Sequence, residues 1–171
     1  MSDYLAGGIK AKINKLDFAY YFNADPILVP TPSSSLSKSD TLWVAQRLAT
    51  ALVKVGLVRE VKSCLQRVKP IAKSSTSRPQ NRPKVIDHYN SMIVQKILDE
   101  PEEILLVDDI ITRGSTLLGA ANKLADAFPK TRIRAFAFMR TITNPSEFES
   151  IVKPCTGNIT LREDGWPLRR P

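Results

Sequence analysis

In ILLVDDIITRGST, residues 104–116, four consecutive apolar residues run into two acids, two further apolar residues and a turn rich in Thr, Gly and Ser. An apolar run of this length, Ile104 to Val107, suits a strand buried on both faces, because helices cover both sides of a parallel sheet. The stretch from Asp108 to Ser115 reads as the turn that follows it. Beyond the turn, Leu117, Leu118, Ala121, Leu124, Ala125 and Phe128 recur on one stripe of a helix that Pro129 stops. Arg132 to Met139 then reads as another strand. Strand, helix and strand over 104–139 make a βαβ unit, whose crossover implies parallel neighbours and an α/β fold.

Ligands of open parallel sheets bind beyond the carboxyl ends of the strands, and Asp108 and Asp109 stand at such an end. The turn that follows has a readable chemistry. Gly114 lets the backbone approach a ligand, amides at a helix start point at an anion, and the hydroxyls of Thr112, Ser115 and Thr116 add donors. Residues Thr112, Arg113, Gly114, Ser115 and Thr116 therefore suit one phosphate. Adjacent carboxylates accept hydrogen bonds from a sugar diol and hold a hydrated magnesium ion. Phosphate beside a diol describes a ribose phosphate.

The rest of the chain narrows the function by exclusion. Its 171 residues fit a single domain, 1–171, large enough to bury roughly 70% of the surface of the unfolded chain without a disulfide or structural metal. Cys64 and Cys155 stand far apart with no Cys/His cluster around them, so no zinc site and a reducing cytoplasm are expected. His88 is the sole histidine, and no G-x-S-x-G elbow accompanies it. The few glycines allow neither a dinucleotide-binding nor a Walker-type phosphate loop. No apolar run reaches membrane-spanning length, and MSDYLAGGIKAK lacks the apolar core of a secretory signal, so a soluble, cytoplasmic protein with no membrane partner is expected.

Working upstream, Ile27 to Val29 reads as a strand that enters a Pro/Ser-rich loop, since Pro30 and Pro32 oppose further pairing. Leu42, Ala45, Leu48, Ala49, Leu52 and Val53 mark a helix capped by Ser39 or Asp40 and stopped at Gly56. Strands are expected at Leu57 to Val61 and Ser91 to Gln95. Between Arg59 and Lys84 stand eight basic residues against the single acid Glu60, so this segment holds nearly all of the formal charge of +8. Its Ser/Pro-rich part reads as a long loop, either a solvated tract or a lid over a polyanion, with nucleic acid or a small phosphorylated substrate as candidates.

ILLVDDIITRGST resembles the thirteen-residue signature of type I phosphoribosyltransferases at every position class. The chain looks closest to the ComF-like, or amidophosphoribosyltransferase-like, branch. VPTP, Val29 to Pro32, stands where that branch ends its first strand, although KSDTL, residues 38–42, replaces the usual R-G-F-N-Q stretch. The resemblance implies an open, mostly parallel sheet flanked by helices, with a small hood from residues 1–24 and 140–171 and a flexible basic loop at about 67–85. Arg67, Arg82 and Val85 fall where ComF-like chains often have Arg, Arg and Val.

The activity so implied transfers ribose phosphate from phosphoribosyl pyrophosphate to a small nitrogenous acceptor, with magnesium as cofactor and pyrophosphate released. Asp108 and Asp109 would bind metal and ribose and act with Thr112 in catalysis, while Thr112 to Thr116 would bind phosphate. Thr31, Ser33, Ser34, Lys38, Lys73 and Arg82 would contact pyrophosphate. Thr112 falls where purine-salvage enzymes acting on hypoxanthine or guanine have an acid, which argues against those acceptors. Arg113 either adds a phosphate contact or points to solvent. Trp166 either stacks on the acceptor base or packs structurally; Trp43 reads as core, and His88 and Tyr89 as structural anchors. Two other functions share the pattern: a sensor that binds without turnover, and a ComF-like module whose basic loop contacts nucleic acid. A homodimer is compatible with each.

Overall fold

A computed structural model describes residues 1–36, 42–72, 81–95, 99–142, 146, 150 and 153–170. In chain order its elements are α1 (Ser2–Lys12), a 3-10 turn (Ile13–Lys15), α2 (Tyr20–Asn23), β1 (Ile27–Pro30), α3 (Val44–Lys54), β2 (Leu65–Arg67), α4 (Val85–Asn90), β3 (Met92–Val94), β4 (Glu103–Ile111), α5 (Ser115–Ala127), β5 (Arg132–Arg140), β6 (Asn158–Leu161) and β7 (Pro167–Arg170). The fold is α/β, a small parallel sheet of order β1-β4-β5 flanked by helices. No described helix is long and apolar enough to cross a membrane.

β4 lies in the middle of the sheet, paired with β1 from Ile27↔Ile104 to Pro30↔Val107 and with β5 from Glu103↔Arg132 to Ile111↔Arg140. Because successive strand residues point to opposite faces, its apolar run divides between two cores. Leu105 and Val107 pack with Leu28, with Leu48 and Leu52 of α3, and with Phe18, Phe22 and Phe136. Ile104 and Leu106 pack on the other face with Val29, Met92, Leu117, Leu124 and Phe128. All four are essentially inaccessible, and burying each such side chain contributes about 1.5–3 kcal/mol. This two-sided burial is why the run is continuous rather than alternating.

Three elements depart from the expectations. Leu57 to Val61 forms no strand: only Val61 bridges to Leu28, framed by Leu28 N–H to the Glu60 carbonyl (3.0 Å) and Lys62 N–H to the Leu28 carbonyl (2.8 Å). The chain then moves on to β2, which pairs antiparallel with β3. β4 runs on to Ile111, because β5 continues beside it through Ile110↔Met139 and Ile111↔Arg140, so the two acids are strand residues rather than turn residues. The helix expected from Leu42 begins at Val44. Its proposed caps, Ser39 and Asp40, lie outside the described residues. Trp43, at the helix entrance, is half-buried rather than core and donates its indole N–H to the Thr31 carbonyl at 2.7 Å.

The two terminal segments assigned to the hood lie in different places. Ala6, Phe18 and Phe22 join the core on the α3 side of the sheet, and Asp3 and Lys10 tie α1 to Lys54 (2.8 Å) and to the Gly56 carbonyl (2.9 Å). The β6-β7 hairpin instead lies against the start of α5, where Ile159 covers Gly114.

α4 rests almost backbone to backbone on α5 at Gly119, where a Cβ would come within 2.8 Å of both the Val85 carbonyl oxygen and the His88 Cβ. Alanine ordinarily adds about 1 kcal/mol to a helix over glycine. Here α4 must shift to admit it, so Gly119→Ala is expected to destabilise the protein by about 2 kcal/mol. Urea unfolding measures this, and a midpoint equal to or above wild type would contradict the close seating of α4.

Candidate functional site

At the carboxyl end of β4 lies a small concavity, partly open to solvent. Asp108 and Thr112 to Thr116 line it together with Arg82, Pro83 and Trp166. One strand end, one turn, the exit of the basic loop and the C-terminal hairpin thus converge there.

The turn is built by Gly114, which takes φ +94° and so ends the strand-to-helix connection in a left-handed conformation that favours glycine. A Cβ at this position would also lie 2.8 Å from Ile159, so backbone conformation and hairpin packing account for the glycine. α5 opens directly after it, with Leu118 N–H bonded to the Gly114 carbonyl at 2.9 Å and no side chain capping the helix start. The amides of Ser115, Thr116 and Leu117 therefore have no partner within the helix, and the helix dipole adds positive potential beside them. Ser115 is buried, Thr116 half-buried, and Thr112 and Arg113 are exposed.

Asp108 Oδ1 accepts the Asp109 amide at 3.0 Å, and Asp109 Oδ1 accepts the Ile110 amide at 2.8 Å. Burial pushes the Asp108 carboxyl well above the ordinary carboxylate range; a hydrogen bond with the Thr31 hydroxyl opposes this, and the neighbouring Asp109 charge adds to it. No described Lys or Arg is ion-paired with either acid. Two close carboxylates without a basic partner fit a divalent cation. Among the described residues no third Asp, Glu, His or Cys joins them.

The remaining expected contacts divide. Thr31 is buried at the end of β1, donates its amide to the Val107 carbonyl at 2.9 Å and stands beside Asp108. Ser33 and Ser34 continue the same loop without lining the concavity; the Ser33 hydroxyl donates to the Ser35 carbonyl at 2.9 Å, and the Ser34 carbonyl accepts the Ile71 amide at 3.0 Å. Lys38 and Lys73 lie outside the described residues. Arg82 lines the concavity.

Arg67, counted among the cations of the basic loop, is buried and holds the fold together. Its guanidinium donates to the Ser33 carbonyl and the Ser91 hydroxyl, and to the Pro32 carbonyl at 3.4 Å, and burial lowers its pKa to about 10. Arg59 and Lys62 pair with Asp25 and Glu60, the latter at 2.5 Å. Fewer charges of that segment are thus free to meet a ligand than its net charge suggests. No local signal marks Arg67: β2 spans only Leu65–Arg67, too short for alternation to show in the sequence.

Trp166 sits next to the turn of the hairpin, with its amide bonded to Asp164 Oδ1 (3.0 Å) and its carbonyl to the Arg162 amide (2.9 Å). The Arg113 guanidinium lies 5.3 Å from its ring centre and the Lys84 ammonium 5.7 Å, while Lys84 also donates to the Asp164 carbonyl at 3.0 Å. Arg113 thus rests against an aromatic ring while remaining exposed to solvent. His88 is buried between α4 and α5 with neither ring nitrogen hydrogen-bonded, and the Tyr89 hydroxyl is bonded to Asp126. No protein-family model matches the chain, and no curated protein matches it.

Proposed function

We propose that the protein is a phosphoribosyltransferase of type I architecture, which binds phosphoribosyl pyrophosphate with magnesium and transfers its ribose phosphate to a nitrogen acceptor. The observation behind this reading is the convergence of Asp108 and Arg82 with the uncapped start of α5 at Thr112 to Thr116 in one concavity. Backbone amides and hydroxyls of Ser115 and Thr116 take the 5-phosphate, which a helix start favours by position and potential. Asp108 and Asp109 accept the ribose diol and would hold magnesium, which when bound supplies positive charge to the departing pyrophosphate. Arg82, among the lining residues, adds positive charge to the same space. Displacement at the anomeric carbon requires little covalent help from the protein, so holding the reacting groups in line and offsetting the charge of the leaving group are the main demands.

Thr112 stands exposed at the rim, where an acid would be needed to engage hypoxanthine or guanine. With magnesium and phosphoribosyl pyrophosphate, a panel of nucleobases, ammonia and glutamine is expected to show pyrophosphate release with at least one acceptor other than those two purines. Binding of phosphoribosyl pyrophosphate without release across the panel would make the protein a sensor rather than a transferase.

A further inference from the structure

We infer that Arg113 is a removable cover on Trp166: the ligand's phosphate draws the guanidinium off the indole, which opens that ring face to the acceptor only once the phosphoribosyl ligand is seated. This rests on the phosphoribosyl reading of the concavity.

Three observations lead here. First, Arg113 belongs to the phosphate turn yet forms no ion pair with any described acid; its contact is the Trp166 ring, 5.3 Å away. A cation without an anionic partner, on the wall of a space suited to an anion, is poised to change partners. Second, Trp166 is the fixed member of the pair. Both its backbone polar groups are bonded within the hairpin turn, and Ile159 of the same hairpin is packed into the space above Gly114. Lys84, the other cation on the ring, is anchored to the Asp164 carbonyl at 3.0 Å and stays with the hairpin. Third, the competing interactions are unequal. A cation–π contact at an exposed site is weak, whereas a guanidinium hydrogen-bonded to a phosphate dianion is among the stronger pairings available to a side chain. A phosphate at the turn therefore wins Arg113. Acceptor stacking then follows ligand binding in order, and without ligand the platform stays covered.

Incorporating 5-fluorotryptophan tests this in the intact chain, because its two tryptophans, Trp43 and Trp166, yield two fluorine resonances that Trp166→Phe assigns. Ribose 5-phosphate is expected to shift the Trp166 resonance and leave that of Trp43 in place. In Arg113→Gln the Trp166 resonance of the free protein should already be displaced, ribose 5-phosphate should move it little further, and calorimetric affinity should fall by about 10-fold or more. The inference is overturned if calorimetry shows ribose 5-phosphate bound to the wild type while the Trp166 resonance stays still and Arg113→Gln binds equally well; the phosphoribosyl reading then survives. Absence of calorimetric binding by either ribose 5-phosphate or phosphoribosyl pyrophosphate with magnesium overturns that reading, and this inference with it.

Discussion

Replacing both acids, Asp108→Asn with Asp109→Asn, is expected to abolish magnesium-dependent binding of phosphoribosyl pyrophosphate while leaving the free protein more stable than wild type at neutral pH. The two effects share one cause. Asp108 is held in surroundings that disfavour its charge, beside a second carboxylate and without a basic partner among the described residues. An asparagine keeps the carbonyl oxygen that accepts the Asp109 amide, so the local backbone bond survives as the repulsion disappears. Each lost interaction with a charged group costs roughly 1.5–3 kcal/mol of binding, so two together cost about 100-fold or more in affinity. Calorimetry and urea unfolding measure the two halves. A double variant that bound normally would remove the acids from the site, and one that unfolded more readily would show that their charges support the fold.

Acid should weaken the protein through His88. The imidazole is 3% exposed, neither ring nitrogen has a hydrogen-bond partner, and burial, reinforced by the charge of Arg67 and opposed by Asp87, pushes its pKa down to about 4 from an ordinary 6.5. An unfolded chain takes up this proton near pH 6.5, whereas the folded chain resists until about pH 4. The unfolded state therefore binds more protons across that window. Stability is complete above pH 6.5, declines as the pH falls and loses roughly 3 kcal/mol by pH 4 from this group alone. His88→Phe, which cannot be protonated, should flatten this part of the profile. Urea midpoints for both proteins between pH 7 and pH 4.5 check it, and parallel curves would mean that His88 does not drive the loss.

The βαβ unit around β4 was legible in the sequence because each of its signals has a local cause: a four-residue apolar run needs cover on both faces, and a glycine precedes the helix where the turn requires positive φ. That unit brings Asp108 to the Thr112 to Thr116 turn, whereas Asp109, the next strand residue, does not line the concavity. Contacts made across long stretches of chain were not legible. Leu-Gln-Arg at 65–67 is too short to show alternation, and Arg67 resembles its basic neighbours until the fold buries it against the Pro32–Ser33 carbonyls. The glycine at 114 was read as space for a ligand, whereas Ile159, from a hairpin more than forty residues away, occupies the direction its side chain would take. Trp166 was visible as an aromatic of interest, but its two cationic neighbours come from separate segments, the phosphate turn and the exit of the basic loop. Leu57 to Val61 shows the opposite case, an apolar pattern sufficient for a strand that tertiary packing reduces to one bridge.

Titration of the purified protein with phosphoribosyl pyrophosphate by isothermal calorimetry, with and without magnesium, is the most direct test of the central claim. The account predicts saturable binding at one site per chain that depends on magnesium and is blocked by prior addition of ribose 5-phosphate. A folded protein that takes up no phosphoribosyl pyrophosphate in either condition would contradict it.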